Sequence, residues 1–382
     1  MAFIRYLTDI HLDHGAISLL TAECSRIGIT RPLIVTDAGV RAAGLLAKAE
    51  AALGDLPYAV FDGTQSNPTE AGVRAALAVL EKERCDGLIA VGGGSSMDLA
   101  KGVAILARHA GPLKHYATIE GGSPRITEAV LPLIAVPTTA GTGSEVARGA
   151  IVIVDDGRKL GFHSWHLMPR SAVLDPDLTL GLPPALTAAT GMDAITHCME
   201  AFMAHAVNPP ADGIALDGLM RGWAHIERAT QNGQDREARW NMMSASMQGA
   251  LAFQKGLGCV HSLSHSLGGV NPRLHHGTLN ALFLPAVIRF NAQADSVRRE
   301  RRLQRMAQAM GLGTCDDDGN DLAQAVQALN ARLKLPTGLA ALGVTAGDFD
   351  RIIDGAMVDH CHKLNPREAS REDYRALLVQ SM

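Results

Sequence analysis

The sequence is poor in aromatic residues and has no excess of positive charge. Aromatic side chains make up 4% of its 382 residues, and 35 lysines and arginines against 39 aspartates and glutamates give a formal net charge of -4. A nucleic-acid surface needs clustered basic residues interleaved with aromatics, and the sequence contains no such cluster. This composition argues against a nucleic-acid partner.

Long apolar runs and paired cysteines are also missing. The six cysteines are scattered without C-x-x-C spacing, and so long a chain does not depend on a disulfide framework. No stretch approaches the roughly 18 uninterrupted apolar residues of a membrane helix. The first residues carry charges where a signal peptide has its apolar run, at Arg5, Asp9 and Asp13. We therefore expect a soluble, cytoplasmic protein with no membrane partner.

Two patterns divide the chain. From about residue 31, short β-rich runs such as PLIV, YAVF, GLIAV and LPLIAV alternate with helical segments, which predicts a parallel sheet with crossover helices. The runs 149–155 and 171–175 would add further strands. After LDPDLTLGLPPAL the spacing of apolar residues is helical almost to the end. We predict an α/β domain over 1–180 and an all-helical domain over 181–382.

Two small-residue turns follow predicted strands at the sheet edge where such folds bind ligands. The first contains Gly93, Gly94 and Ser95, whose backbone N–H groups and following helix favour an anion such as a pyrophosphate. Position 97 is Met, so the usual G-x-G-x-x-G fingerprint is absent, and so is a P-loop. The second turn supplies three hydroxyls, those of Thr138, Thr139 and Thr142.

Asp37 ends an early strand and has two interpretations. Its carboxylate could accept hydrogen bonds from the ribose hydroxyls of a dinucleotide and would repel a 2′-phosphate, which favours NAD over NADP. It could equally be a residue that initiates a turn.

Histidines are concentrated in the predicted helical half. Asp193 and His197 stand four residues apart, His261 and His265 repeat that spacing, and the pair at 275 and 276 follows. A lone helical histidine is usually a packed or surface residue, but five histidines and an aspartate in three segments indicate a divalent ion such as Fe(II) or Zn(II). One carboxylate and three neutral imidazoles would leave such an ion with a net positive charge, able to polarise a substrate oxygen.

The segment DHCHKL (359–364) also contains metal-ligating residue types. If it is helical, its histidines and cysteine cannot easily converge on one ion. We interpret it as structural or, at most, as lining a cleft.

These motifs, together with LDPDLT, GMDAITHCMEAF, VHSLSHSLGG and HHGTLNALFLPAVIRFN, follow one pattern through nearly the whole chain. The sequence resembles the iron-containing (group III) alcohol dehydrogenase family. The resemblance implies an α/β dinucleotide domain of the dehydroquinate synthase-like type, an all-helical second domain, a catalytic metal in the cleft between them, and a homodimer or larger homo-oligomer.

Carried over position by position, the resemblance implies metal ligands at Asp193, His197, His261 and His276. The segment before Gly277 is one residue longer than the common family pattern, so His275 is the alternative fourth ligand. His265 matches a family histidine close to the nicotinamide and substrate. We hypothesise that it relays a proton, with support of the metal ligands as the alternative role.

The resemblance also implies a set of cofactor-binding residues and an activity. The predicted NAD-binding residues are Asp37, Asn67, Gly93, Gly94, Ser95, Asp98, Thr138, Thr139, Thr142, Lys159 and Leu178. For Asp98 the alternative is a helix cap. The implied activity is hydride transfer between NAD(H) and a small alcohol or aldehyde, or a hydroxy acid or semialdehyde, with Fe(II) as the metal and Zn(II) or another divalent ion possible. The alternatives are a maleylacetate reductase-like keto acid reductase and a dehydroquinate synthase-like lyase.

Overall fold

A computed structural model describes residues 4–382. The chain forms two compact units. The α/β unit comprises Tyr6–Thr139 and Gly143–Gly181, and the helical unit comprises Ala140–Thr142 and Leu182–Met382 together with residues 4 and 5. Within the described range, we find no helix long and apolar enough to cross a membrane.

The strands of the α/β unit are β1 (Asp9–Leu12), β2 (Pro32–Val35), β3 (Ala59–Phe61), β4 (Gly87–Gly92), β5 (Leu133–Pro137), β6 (Gly149–Ile153), β7 (Lys159–His163) and β8 (Ser171–Leu174). All but β6 and β7 form a parallel six-stranded sheet in the order β1-β8-β5-β4-β2-β3. The central strands are apolar runs buried on both faces, as expected where helices cover a parallel sheet. The predicted α/β class with a parallel sheet is confirmed.

Five helices accompany these strands: α1 (Leu20–Ile27), α2 (Ala38–Ala42), α3 (Leu45–Leu53), α4 (Glu70–Lys82) and α5 (Gly94–Leu106). Two details differ from the sequence-based expectation. β6 pairs antiparallel with β7 in a separate two-stranded sheet, and β1 is an edge strand that the sequence pattern did not reveal. β1 has no fully buried residue, so it lacks the apolar run that marked the others.

The two small-residue turns lie on neighbouring strands. β4 and β5 pair in register, and the backbone N–H of Thr138 donates to the carbonyl of Gly92 at 3.0 Å. Gly92 has φ 155°, and a Cβ there would lie 2.4 Å from Ser96 Oγ. Only glycine fits this close approach of the turn to the start of α5.

Lys101 ties α5 to the chain that follows the second turn. Its buried ammonium donates to Ser144 O, Ser144 Oγ, Ala147 O and Gly149 O at 2.8–2.9 Å. Ser144 Oγ in turn donates to Asp98 Oδ1 at 2.9 Å. Burial lowers the pKa of Lys101 to about 8, although Asp98 opposes the shift. The cluster fixes residues 144–149 against α5.

The helical unit contains α6 (Pro184–Met203), α7 (Pro209–Gln231), α8 (Arg236–Ala252), α9 (Cys259–Val270), α10 (His276–Asn291), α11 (Asp295–Arg299), α12 (Arg302–Ala309), α13 (Asn320–Arg332), α14 (Phe349–Val358) and α15 (Arg371–Gln380). Small residues let these helices approach α6. A Cβ on Gly277 would lie 2.1 Å from the carbonyl oxygen of Ala189, and one on Gly249 would lie 2.9 Å from His197 Cβ. The predicted helical second part of the chain is confirmed.

We predict that Lys101→Met lowers the free energy of unfolding by about 3–5 kcal/mol, because Asp98 loses its buried counter-ion and four acceptors lose their donor. Urea unfolding measures the change. Lys48→Met, on the exposed side of α3, is the matched control and should shift stability by no more than about 0.5 kcal/mol. Equal effects of the two changes would contradict the structural role of Lys101.

Candidate metal centre

Helix α6 presents Asp193, His197 and Glu200 on one buried face. The spacing of four and then three residues brings the three side chains into line, and each residue is no more than 4% exposed. α9 contributes His261 and α10 contributes His276 at its first position. Residues from three helices therefore meet at one point, and all of them except His276 are buried there.

One oxygen lies at the centre of this group. Asp193 Oδ1 is 3.7 Å from His197 Nε2, 3.8 Å from His261 Nε2 and 3.7 Å from His276 Nε2. These separations are too long for hydrogen bonds. They are close to the roughly 3.4 Å that separates neighbouring ligands of a tetrahedral ion with metal–ligand distances of about 2.0–2.2 Å. One ligand atom each of Asp193, His197 and His261 lies within 4.8 Å of the other two, and His276 lies outside this tighter group.

The protonation states also suit a cation. Burial lowers the pKa of His197 and His261, so both imidazoles are neutral. Burial alone would raise the pKa of Asp193, but His197, His276 and Asn280 together bring it below the usual value. A carboxylate and neutral imidazoles are the ligand forms that bind divalent metals.

Glu200 supports one of these imidazoles from behind. One carboxylate oxygen accepts from the backbone N–H of Val260 at 2.8 Å, and the other lies 2.5 Å from His261 Nδ1. Burial raises the pKa of Glu200 to about 8, against the effect of the Val260 N–H. The amide nitrogen of Asn280 lies 3.2 Å from His261 Nε2 and can only donate, so the imidazole proton belongs on Nδ1 and is donated to a Glu200 oxygen, which leaves Nε2 unprotonated on the side of Asp193.

Asn280 shows that the cluster has more acceptors than donors. Its amide nitrogen lies 2.7 Å from Asp193 Oδ1, 3.2 Å from His261 Nε2 and 3.1 Å from His276 Nε2. Two amide N–H groups cannot satisfy three acceptors. Asn280 Oδ1 is buried and has no hydrogen-bond partner among the described residues. A divalent ion fits a site whose lone pairs converge in this way.

His265 lies one helical turn beyond His261. Its ring stacks on His276 with centroids 5.2 Å apart and planes 9° apart, and its Nδ1 lies 3.0 Å from Asp359 Oδ2. His275 precedes α10 as its N-cap residue, and burial lowers its pKa. Of the adjacent pair, the structure thus gives His276 the contact with Asp193 Oδ1.

The predicted cofactor residues at the glycine turn lie at the start of α5. Gly93 is the N-cap, Gly94 is the first helical residue, and Ser95 Oγ donates to the carbonyl of Ser66 at 2.6 Å. Thr139 Oγ1 lies 3.4 Å from the position of a Cβ on Gly93. Gly93, Gly94, Ser95 and Thr139 therefore share one edge of the sheet with the buried Thr138.

The remaining predicted cofactor residues differ in their hydrogen-bond partners and burial. Asp37 caps α2 by accepting from Val40 N–H at 2.9 Å, so it has the local structural role expected of a turn residue. A hydrogen bond to a ribose stays a prediction. Asn67 Oδ1 accepts from Lys159 Nζ at 2.9 Å. Leu178 is buried, and Thr142 belongs to the helical unit.

Asp98 does not cap a helix, because Gly93 is the N-cap of α5. Its buried carboxylate accepts from Ser144 Oγ and, at 3.0 Å, from Ile151 N–H. Burial raises its pKa, although Lys101 opposes the shift. The cap interpretation of Asp98 was wrong.

Sequence reasoning missed Glu200, Asn280 and Asp359. Two of them carry a readable signal: Glu200 continues the face of Asp193 and His197 at position i+7, and Asn280 follows His276 at position i+4. Asp359 contacts His265, from which it is separated by 94 positions in the sequence, and no local sequence pattern predicts such a contact.

Comparison with known proteins agrees with these features. The family model described as iron-containing alcohol dehydrogenase matches residues 8–176, and the C-terminal model of the Fe-containing alcohol dehydrogenase family matches 187–382. The chain belongs to the iron-containing alcohol dehydrogenase family. It is an NAD-dependent oxidoreductase that transfers a hydride between NAD(H) and a small alcohol or hydroxy acid, and this activity fits better than the keto acid reductase or lyase alternatives.

Three similar proteins illustrate the range of sequence identity and of named substrates. The chain is 68% identical to the 4-hydroxybutyrate dehydrogenase of Cupriavidus necator over 100% of both chains. It is 36% identical to the 1,3-propanediol dehydrogenase of Klebsiella pneumoniae, over 96% of this chain and 95% of that one. The solved structure of an alcohol dehydrogenase from Oenococcus oeni superposes with a TM-score of 0.93 at 31% identity over 100% of both chains.

We predict that Glu200→Gln weakens divalent-ion binding at this cluster by about 10- to 100-fold. Glutamine has one acceptor oxygen and cannot serve both Val260 N–H and His261 Nδ1. Competition with a chelator measures the affinity. Glu227→Gln, which removes a surface carboxylate paired with Arg332, is the control and should leave the affinity unchanged. Retention of full affinity by Glu200→Gln would disprove the supporting role.

Proposed function

We propose that this protein oxidises 4-hydroxybutyrate reversibly to the corresponding aldehyde with NAD+. The observation that carries the proposal is the 68% identity to a 4-hydroxybutyrate dehydrogenase, which extends over the whole of both chains. At this identity we expect the side chains around the substrate to be largely shared, whereas relatives named for 1,3-propanediol are 36–37% identical.

We propose Asp193, His197, His261 and His276 as the ligands of the metal, with Fe(II) favoured by the family and Zn(II) or another divalent ion as the alternative. The equal spacing of the three imidazole nitrogens around Asp193 Oδ1 supports this set, and it favours His276 over His275. When bound, the ion supplies a Lewis acid for the substrate hydroxyl, and NAD+ supplies the hydride acceptor.

His265 is proposed to receive the hydroxyl proton and pass it to solvent. Its Nδ1 faces the carboxylate of Asp359 at 3.0 Å, which holds the ring in one orientation. Burial would raise the pKa of Asp359, but the neighbouring His265 and His360 hold it well below the usual range, so the carboxylate is ionised. Since His265 Nδ1 faces this carboxylate, Nε2 is the ring nitrogen proposed to receive the proton.

The residues proposed to bind NAD are those predicted from the sequence: Asp37, Asn67, Gly93, Gly94, Ser95, Asp98, Thr138, Thr139, Thr142, Lys159 and Leu178. The helix start at Gly93 and Gly94 supports a role toward the pyrophosphate. Support for Asp98 is weaker, since its carboxylate is engaged by Ser144 and Ile151. Its proposed contribution is to shape the turn.

A cytoplasmic location and a homodimer or larger homo-oligomer are also proposed. All six cysteines are free thiols, and five of them are buried, which fits a reducing compartment. Size-exclusion chromatography with light scattering tests the assembly.

A substrate panel tests the proposed activity. With saturating NAD+, we expect kcat/KM for 4-hydroxybutyrate to exceed that for 1,3-propanediol and 1-butanol by at least about tenfold, because a site built for a polar group rejects substrates that lack it. Accumulation of NADH is the readout. An equal or higher kcat/KM for 1,3-propanediol would overturn the substrate assignment, and absence of NADH with every alcohol would overturn hydride transfer.

We predict that His276→Ala weakens binding of the divalent ion by at least about 100-fold. Loss of a residue that only supports a ligand typically weakens metal affinity by about 10- to 100-fold, so loss of a ligand should cost at least the upper value. His275→Ala, one residue earlier, is the matched control and should leave the affinity near that of the unchanged protein. Metal content after dialysis against graded chelator gives both affinities. The reverse ranking would assign the fourth ligand to His275.

A further inference from the structure

A second cluster of metal-ligating side chains lies next to His265. α14 ends at Val358, and the chain then turns, so Asp359, His360 and Cys361 are not on one helix face. The expectation that His360, Cys361 and His362 do not converge assumed a helix, whereas residues 359–361 form a turn and only 362–364 are helical. His362 is directed away, with its Nδ1 2.9 Å from the hydroxyl of Tyr374. The turn brings the side chains of Asp359, His360 and Cys361 together with His265.

The geometry of this group matches a coordination shell. Asp359 Oδ2 lies 3.0 Å from His265 Nδ1 and 3.6 Å from His360 Nδ1, whereas Cys361 Sγ lies 3.4 Å from the other ring nitrogen of His360, Nε2. An imidazole binds one ion through one nitrogen, so His360 would use either Nδ1 or Nε2. One ligand atom from each of the four residues lies within 4.8 Å of all the others. Ligands about 2.0–2.3 Å from a tetrahedral zinc ion are separated by roughly 3.3–3.7 Å, so small side-chain adjustments suffice.

The carboxylate of Asp359 is already oriented for this purpose. Its Oδ1 accepts from the backbone N–H of Cys361 at 2.8 Å, which turns Oδ2 toward the two imidazoles. Such backbone support of a ligating carboxylate is typical of metal sites. The hydrogen bond between His265 and Asp359 alone does not require a thiol and a second imidazole at the same point.

We propose that His265, Asp359, His360 and Cys361 form a second divalent-metal site, which takes Zn²⁺ or a similarly thiophilic ion and shares no ligand with the proposed catalytic set. Its sulfur ligand distinguishes the two sites, because Asp193, His197, His261 and His276 offer only oxygen and nitrogen. Occupation ties His265 Nδ1 to the ion.

Charge favours this assignment. Asp359 and a Cys361 thiolate supply two negative charges, the two imidazoles are neutral, and a divalent ion brings the total to zero. The thiolate is the form of Cys361 that binds an ion, so binding releases the thiol proton to solvent.

Occupation should also inhibit the enzyme, and this consequence rests on the proposed role of His265 in proton transfer. The site would thus act as an inhibitory zinc site beside the catalytic centre. His360, with 41% of its side chain exposed, gives an ion a route to the cluster.

Titration of the holoenzyme with Co²⁺ tests the site independently of activity. We expect a thiolate-to-cobalt charge-transfer absorption, which the catalytic ligands cannot produce because they contain no sulfur. Cys361→Ser should abolish the band, and His360→Ala should weaken Co²⁺ binding at this site by at least about tenfold. Cys315→Ser, at a half-buried cysteine elsewhere in the chain, is the matched control and should retain the band.

Two further measurements separate this proposal from the proposed function. His261→Ala should lose turnover but keep the cobalt band, whereas Cys361→Ser and His360→Ala should keep turnover and lose inhibition by added Zn²⁺. Absence of the band in the unchanged protein, or its persistence in Cys361→Ser, would overturn the second site. Inhibition by Zn²⁺ that is equal in all variants would assign the effect to replacement of the catalytic ion.

Discussion

A single buried carboxylate oxygen, Asp193 Oδ1, is the common neighbour of three imidazole nitrogens at 3.7–3.8 Å. Burying an ionised carboxylate is costly unless a cation or several donors compensate it. The amide of Asn280 provides one short hydrogen bond at 2.7 Å. Burial lowers the pKa of His197 and His261 and so favours their neutral forms, which offer the carboxylate no formal positive charge. A divalent ion at this point would compensate the carboxylate and use all the converging lone pairs.

This constraint explains why so many small residues surround α6. Polar side chains from three helices reach one point only if the backbones come close, and Gly249 and Gly277 permit that approach where a Cβ would collide with α6. Any larger residue at Gly277 would push the start of α10, and with it His276, away from Asp193. The glycines therefore affect the site through helix spacing, although neither contributes a polar side chain.

Sequence reasoning succeeded where the chemistry is local. Buried apolar runs located the central strands, and the four-residue spacing of Asp193 and His197 predicted that both side chains lie on one helix face, as they do on α6. Sequence reasoning did not predict β1, because its half-exposed residues do not form an apolar run. It also did not predict the contact of Asp359 with His265, which depends on the three-dimensional fold. For the segment after α14, the assumption of a helix does not hold at Asp359 and His360, because the backbone turns there.

The exposure of the four proposed ligands is uneven, and this asymmetry bears on catalysis. The side chains of Asp193, His197 and His261 are at most 5% exposed, whereas that of His276 is 37% exposed. Catalytic metal sites keep one side open for substrate, whereas structural sites are closed. His265 stacks against this more exposed ligand. A hydroxyl that reached the ion beside His276 would therefore lie close to the proposed proton acceptor.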